Sequence, residues 1–162
     1  MDSDSQAMRT RHPWLHAWLP VLVGTTLIAI SSSPLFSGQE TSGPFRWIYE
    51  HIFGRVGNDK WGHIHFFIRK SLHFLGYGAF GLLWLRGWWL TLPRSSFMQD
   101  ASLAVLGAGL IASADELHQR FLPSRTGSPW DVLLDCSGAI IVQLLIYAWL
   151  RIFRPKKLAH ES

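Results

Sequence analysis

The chain carries a single cysteine, Cys136, so an intrachain disulfide framework is excluded; that residue reads as a small, soft helix-packing side chain. Charge is scarce as well. Only 16% of the residues are Asp, Glu, Lys or Arg, against about 25% in soluble proteins. So few charges poorly equip a 162-residue chain to cover a water-facing surface. The net charge of +4 comes from Lys and Arg scattered between apolar runs, not gathered on one strip. That pattern argues against a nucleic-acid partner and fits contact with anionic lipid headgroups. No internal repeat, low-complexity tract, nucleophile motif or metal-ligand spacing is recognisable, so neither a cofactor nor a metal is assigned.

What the chain has in quantity is apolar and aromatic material: 48% hydrophobic residues, with nine Trp and ten Phe. A membrane-spanning helix needs roughly 20 mostly apolar residues, and four runs approach that. The first, 14–30, follows Arg9, Arg11 and His12 and ends at Ser31-Ser32-Ser33-Pro34. A basic flank before an apolar run also describes a secretory signal peptide, but the run is long and the rest of the chain is equally membrane-like. The second, 71–92, stops at Pro93 and carries Arg86, placed to snorkel toward headgroups. The third, 97–117, has Ala104, Ala108 and Ala112 at four-residue spacing, which lets helices approach closely and predicts a central place in the bundle. The fourth, 129–150, has Ser128 as its cap, Pro129 at the first helical position and Asp131 at the capping-box spacing.

The expected fold is therefore all-α: a polytopic membrane bundle of four transmembrane helices. Its long first connection holds Phe45, Trp47, Ile48, Ile52 and Phe53 beside Arg46, Glu50 and Arg55, which reads as an amphipathic helix lying in the interface. Residues 1–13 form an N-terminal tail, 14–150 the membrane domain and 151–162 a basic C-terminal tail. Lys and Arg divide almost evenly between the two sides. The dense group Arg151, Arg154, Lys156 and Lys157 beside the last span favours both termini in the cytoplasm.

Alternating spans bring the unusual polar residues to one face. Arg69, Lys70, His73 and Tyr77 open the second span, with Arg69, His73 and Tyr77 one turn apart. Asp115, Glu116, His118 and Gln119 close the third, Arg125 lies in the loop, and Asp131 and Asp135 open the fourth, where the helix dipole favours anions. Ionisable groups at membrane depth are costly and usually face inward, pair and mark a site. Arg69, Lys70 and Arg125 are expected to pair with Asp115, Glu116, Asp131 and Asp135. The plain alternative is that such a network only locks helices in register. His118, His63 and His65 read as interfacial.

These residues resemble the VanZ-like family of small bacterial membrane proteins, named for a glycopeptide-resistance accessory protein. The resemblance rests on Arg69-Lys70-Ser71-Leu72-His73-Phe74-Leu75-Gly76-Tyr77, similar to R-K-x-x-H-F-x-x-Y. It rests more heavily on Asp115-Glu116-Leu117-His118-Gln119 with Phe121, Pro123, Arg125, Gly127, Ser128, Asp131, Asp135 and Gly138. Ser124 stands where the family usually has Gly. Gly76 stands where many members carry Glu, which removes one carboxylate. The resemblance implies a four-helix protein of the bacterial cytoplasmic membrane with a link to the envelope or to glycopeptide response; it supplies no reaction.

Three functions stay open. A non-enzymatic envelope protein would bind a membrane lipid, lipid-linked cell-wall precursor or glycopeptide, with Arg69, Lys70 and Arg125 holding a phosphate or carboxylate. A membrane enzyme would use His73 or Glu116 as general acid or base, with Arg125 stabilising developing charge. A divalent-cation version of it would draw on Asp115, Glu116, Asp131 and His73. A small transporter would relay protons through Asp115, Glu116 and His73, although the opposite half of the bundle is nearly all apolar and Gln143 is the only polar group deep in the fourth span.

Overall fold

A computed structural model describes residues 13–92 and 94–153, all of whose regular structure is helical. The elements are α1 (Pro13–Ser31), a 3-10 turn (Pro34–Phe36), α2 (Gly38–Phe53), α3 (Asn58–Thr91), α4 (Phe97–Gln119) and α5 (Pro129–Phe153). Arg9, Arg11, His12, Pro93, Arg154, Lys156 and Lys157, and with them most of both expected tails, lie outside the described residues.

The core is rich in small residues, with Trp61, Tyr77, Phe80 and Leu85 among them, while most large aliphatic side chains lie outside, the reverse of a soluble domain. Ala17, Ala104, Ala108, Ala112 and Ala139 are buried, whereas Leu22, Leu27, Leu106, Leu110, Leu144 and Leu145 are exposed. In water that outer surface would be a large unfavourable patch; in lipid it is the expected exterior.

Three helices, not the expected four, are long and apolar enough to cross a membrane by length and composition: α1, α4 and α5. The missing one is the longest, α3. Its run is diluted by Gly76, Gly78, Gly81 and Gly87, by His73 and Arg86, and by indole rings. It nonetheless runs the length of the bundle. Arg86 meets the carbonyls of His16 and Ala17, and Phe80 lies against Gly24, so α1 and α3 are antiparallel. Lys70 meets Asp131 and Gly78 meets Gly138, so α3 and α5 are parallel. Glu116 meets Ser128, and Phe97 packs on Tyr147, so α4 and α5 are antiparallel.

This arrangement changes two expectations. The alanine stripe of α4 is buried as foreseen, but the helix that touches all the others is α3. Arg86, read as placed to snorkel, has its guanidinium bonded to the backbone of α1 and the His16 ring, which staples α3 to α1. The closest helix approach is at Gly138, where an added Cβ would lie 2.2 Å from the Phe74 carbonyl oxygen.

The first connection does form a helix, α2, capped by Ser37 at its start. It ends at Gly54, whose φ of 85° suits glycine. None of its residues is buried, and Trp47, Ile48, Ile52 and Phe53 are exposed. Arg46, paired with Glu50 inside the helix, ties it to the start of α3 through Asn58 and the Val56 carbonyl. Farther along, Trp61 donates its indole N–H to Ser42, and His65 meets Thr41. The start of α3 at Asn58, well before residue 71, gives α2 a helical partner to pack on.

Candidate functional site

The polar residues expected at one face, from Arg69 to Tyr77, Asp115 to Gln119, Arg125, Asp131 and Asp135, sit at the same end of the bundle, where α1 and α4 end and α5 begins. The pairing differs from the expected one. Of Arg69, Lys70 and Arg125, only Lys70 finds a carboxylate, Asp131, and its ammonium also lies 5.3 Å from the Phe66 ring centroid. Asp115 is held by the Ser32 hydroxyl and by the Gln119 amide at 3.0 Å. Gln119 also reaches Ser32, closing a three-residue network between α1 and α4.

Arg125 takes a backbone role. Its Nη2 donates to the carbonyl oxygen of Ser31 at 2.5 Å, at the end of α1, and to that of Ser33 at 2.9 Å, which also accepts the Phe36 N–H. The side chain is buried, and its Nε has no partner among the described residues. Burial, and then the neighbouring Arg69, pull this guanidinium below its ordinary pKa, while Asp115 and Glu116 pull the other way. Arginine stays protonated through such shifts.

Glu116 closes the α4–α5 corner. Its Oε2 accepts the Ser128 N–H at 2.8 Å, and the Ser128 hydroxyl accepts the Trp130 N–H at 3.2 Å. The N–H that a capping box would give to Asp131 thus goes to a carboxylate from another helix, leaving Asp131 for Lys70. Asp135 is fully buried; the His73 ring faces it, with Nδ1 3.5 Å from Oδ1. One turn beyond His73, Tyr77 is buried with its hydroxyl unpartnered. His118 is exposed and apart from the cluster, as its interfacial reading implies, whereas His65 is buried against Trp61.

Two cavities meet at this cluster. The larger, about 480 Å³, has apolar walls from α1, α3 and the connection between them, including Leu27, Ile28, Phe36, Leu72, Phe80 and Leu83. The smaller, about 240 Å³, is polar and is bordered by Lys70, Gln119, Thr126 and Asp131. Arg69, His73 and Arg125 line both. Among the described residues Arg69 makes no ion pair, and neither does Arg125.

Sequence reasoning missed two contributors. Ser32 read only as part of a helix-breaking run, yet it is buried and holds Asp115. The α1 wall of the larger cavity was also missed, because nothing in an apolar run says which of its faces borders a void. The stretch Ser31-Ser32-Ser33-Pro34 was the available signal, as three hydroxyls at a helix end are more than a stop requires.

A small all-helical bundle with an apolar exterior and polar residues gathered at one end is the build of a polytopic membrane protein. The family model described as VanZ/LLP1 matches residues 16–153, and the chain belongs to that family. No curated protein and no solved structure was found to match it.

Proposed function

We propose that this protein binds a lipid or lipid-linked anionic ligand, its acyl or prenyl portion in the larger cavity and its anionic head between Arg69 and Arg125. The observation that carries this reading is the shared wall. Two guanidinium groups unpaired with carboxylates stand where an apolar cavity meets a polar one. Ligand pockets of about 300–1,000 Å³ with apolar walls and a few convergent polar groups are the usual form of small-molecule sites. A planar guanidinium matches phosphate or carboxylate through two parallel hydrogen bonds. In this reading α3 crosses the membrane as a fourth span, sheltered among the other three, and α2 lies in the interface with its exposed aromatics among acyl chains. The setting is the bacterial cytoplasmic membrane, with both termini in the cytoplasm. A part in the envelope response to glycopeptides would follow if the ligand is a lipid-linked cell-wall precursor.

An enzyme acting on the same ligand is the second reading. It is favoured by His73, which borders both cavities and faces the Asp135 carboxylate, the arrangement of an imidazole oriented for proton transfer. The transporter reading draws less support, because beyond Tyr77 the inner surface is mainly Ala, Gly and aromatic rings.

The test is native mass spectrometry of the protein released from its own membrane, comparing wild type, Arg69→Ala and Arg125→Ala. A co-purifying anionic lipid retained by wild type and lost from the folded Arg69→Ala protein is expected. Arg69→Ala is the cleaner probe, since Arg125 also holds α1. Identical lipid complements in all three would defeat the reading. Turnover of the identified lipid that disappears in His73→Gln would promote the enzyme reading.

A further inference from the structure

Beneath the polar cavity, three side chains from three helices converge: His73 of α3, Glu116 of α4 and Asp135 of α5. One donor atom from each lies within 4.8 Å of the others. Their surroundings make this more than an acidic cluster. Asp135 is 0% exposed, and neither of its carboxylate oxygens has a hydrogen-bond partner. Glu116 is 3% exposed; the Ser128 N–H holds Oε2 and leaves Oε1 unpartnered. Buried acceptors in this state are rare in folded proteins and call for a missing partner.

The nearby cations do not supply it. Lys70 is committed to Asp131 and Arg125 to the Ser31 and Ser33 carbonyls. Among the described residues no Lys or Arg pairs with Asp135 or Glu116. Two carboxylates in a low-dielectric interior need positive charge, and leaving them without it is strongly unfavourable.

We infer that His73, Glu116 and Asp135 bind one divalent transition-metal cation, of the zinc or manganese type. The donor set suits it: one imidazole nitrogen and two carboxylate oxygens balance a 2+ charge and mix the nitrogen preference of zinc with the oxygen preference of manganese. The spacing suits it too. Donors about 2.1 Å from a tetrahedral ion stand about 3.4 Å from one another, close to the 3.5 Å between His73 Nδ1 and Asp135 Oδ1. Three ligands leave a coordination position for a water or an oxyanion, and one of the three, His73, borders both cavities. Helix bundles commonly hold metals this way, with ligands projecting inward from facing helices. Asp115 and Asp131, named as ligands from sequence, are already engaged by Ser32 with Gln119 and by Lys70; Asp135 takes their place. This site stands independently of the lipid reading.

The experiment is metal analysis of the full-length protein, purified without a polyhistidine tag, loaded with Zn²⁺ or Mn²⁺ and desalted. About one metal per chain is expected in wild type, falling at least tenfold in Asp135→Asn and in Glu116→Gln. Wild type retaining less than a tenth of an equivalent of either metal would overturn the proposal. So would a full equivalent retained by both folded variants. Should the variants fail to fold, pulsed electron paramagnetic resonance of Mn²⁺-loaded wild type decides. A single coordinated imidazole nitrogen supports the site, and a spectrum without nitrogen coupling overturns it. Neither readout depends on whether a lipid co-purifies.

Discussion

The two ends of this bundle are built by different means. At one end hydrogen bonds and charges join the helices: Ser32–Asp115–Gln119, Lys70–Asp131, Glu116–Ser128 and His73 facing Asp135. At the other, aromatic rings do most of the joining, with Arg86 bonded to the α1 backbone and the His16 ring beside them. Trp18 meets Trp84 edge-on at 5.4 Å and Trp88 at 4.8 Å, while Phe97 lies 5.5 Å from Tyr147. Gly87 and Gly107 provide the notches into which Trp18 and Trp84 settle. The same four helices are thus held closely without ion pairs, so fastening alone does not account for the number of polar groups at the other end. Interhelical hydrogen bonds in membranes average only about 0.6 kcal/mol each, a weak return for so many desolvated side chains. The surplus, above all Arg69 and Asp135, is what the lipid and metal proposals draw on.

The largest break should come from the seam that both ends share. In Gly138→Val the new side chain meets the Phe74 carbonyl and must push α3 away from α5. The cost should exceed the roughly 1–3 kcal/mol of ordinary overpacking, so size-exclusion chromatography in detergent should show loss of the monodisperse species. Trp18→Ala should come next, at about 3–5 kcal/mol for a large packed aromatic. It should lower the thermal unfolding midpoint yet leave lipid bound per folded molecule unchanged; a parallel fall in binding would erase the distinction between the ends. Ser32→Ala leaves Asp115 with the Gln119 amide alone and should cost about 1–3 kcal/mol, seen in the same unfolding assay.

The smallest effect belongs to the connection. Arg46, first through its side-chain hydrogen bond and then with help from the Val56 N–H, holds the Glu50 carboxyl below its ordinary value of 4.5. A depressed carboxyl contributes stability above that value and loses it as the pH falls below it. The hydrogen-exchange protection factors of the α2–α3 corner, corrected for the intrinsic rate at each pH, should therefore fall slightly on acidification below about 4.5, and Glu50→Gln should remove that dependence.

Much of the fold was legible because hydropathy and capping are local. The runs at 14–30, 97–117 and 129–150 correspond closely to α1, α4 and α5, and Ser128 with Pro129 marks a helix start. The start of α3 was not legible: residues 58–70 mix Asn58, Asp59, Lys60 and three aromatic rings, and hydropathy reports the surroundings of a helix rather than its existence. The site residues could be read as a set, but their partners could not. Pairing depends on how far each helix is rotated about its axis, and one turn decides whether Lys70 meets Asp131 or Asp135. The Arg125 bonds were invisible for another reason, since a backbone carbonyl has no letter of its own.

Helix α3 has 34 residues, about 50 Å at 1.5 Å per residue, against a hydrocarbon layer of about 30 Å. If α3 is the fourth span proposed above, its first turns, with α2 packed on them through Trp61 and His65, extend past the apolar layer. The larger cavity, walled by α1 and α3, then lies at membrane depth. In the proposed lipid-binding reading, a ligand arriving there travels in two dimensions within one leaflet. Its effective concentration is then a mole fraction of the bilayer, and occupancy should follow the membrane's composition rather than the volume of buffer around it.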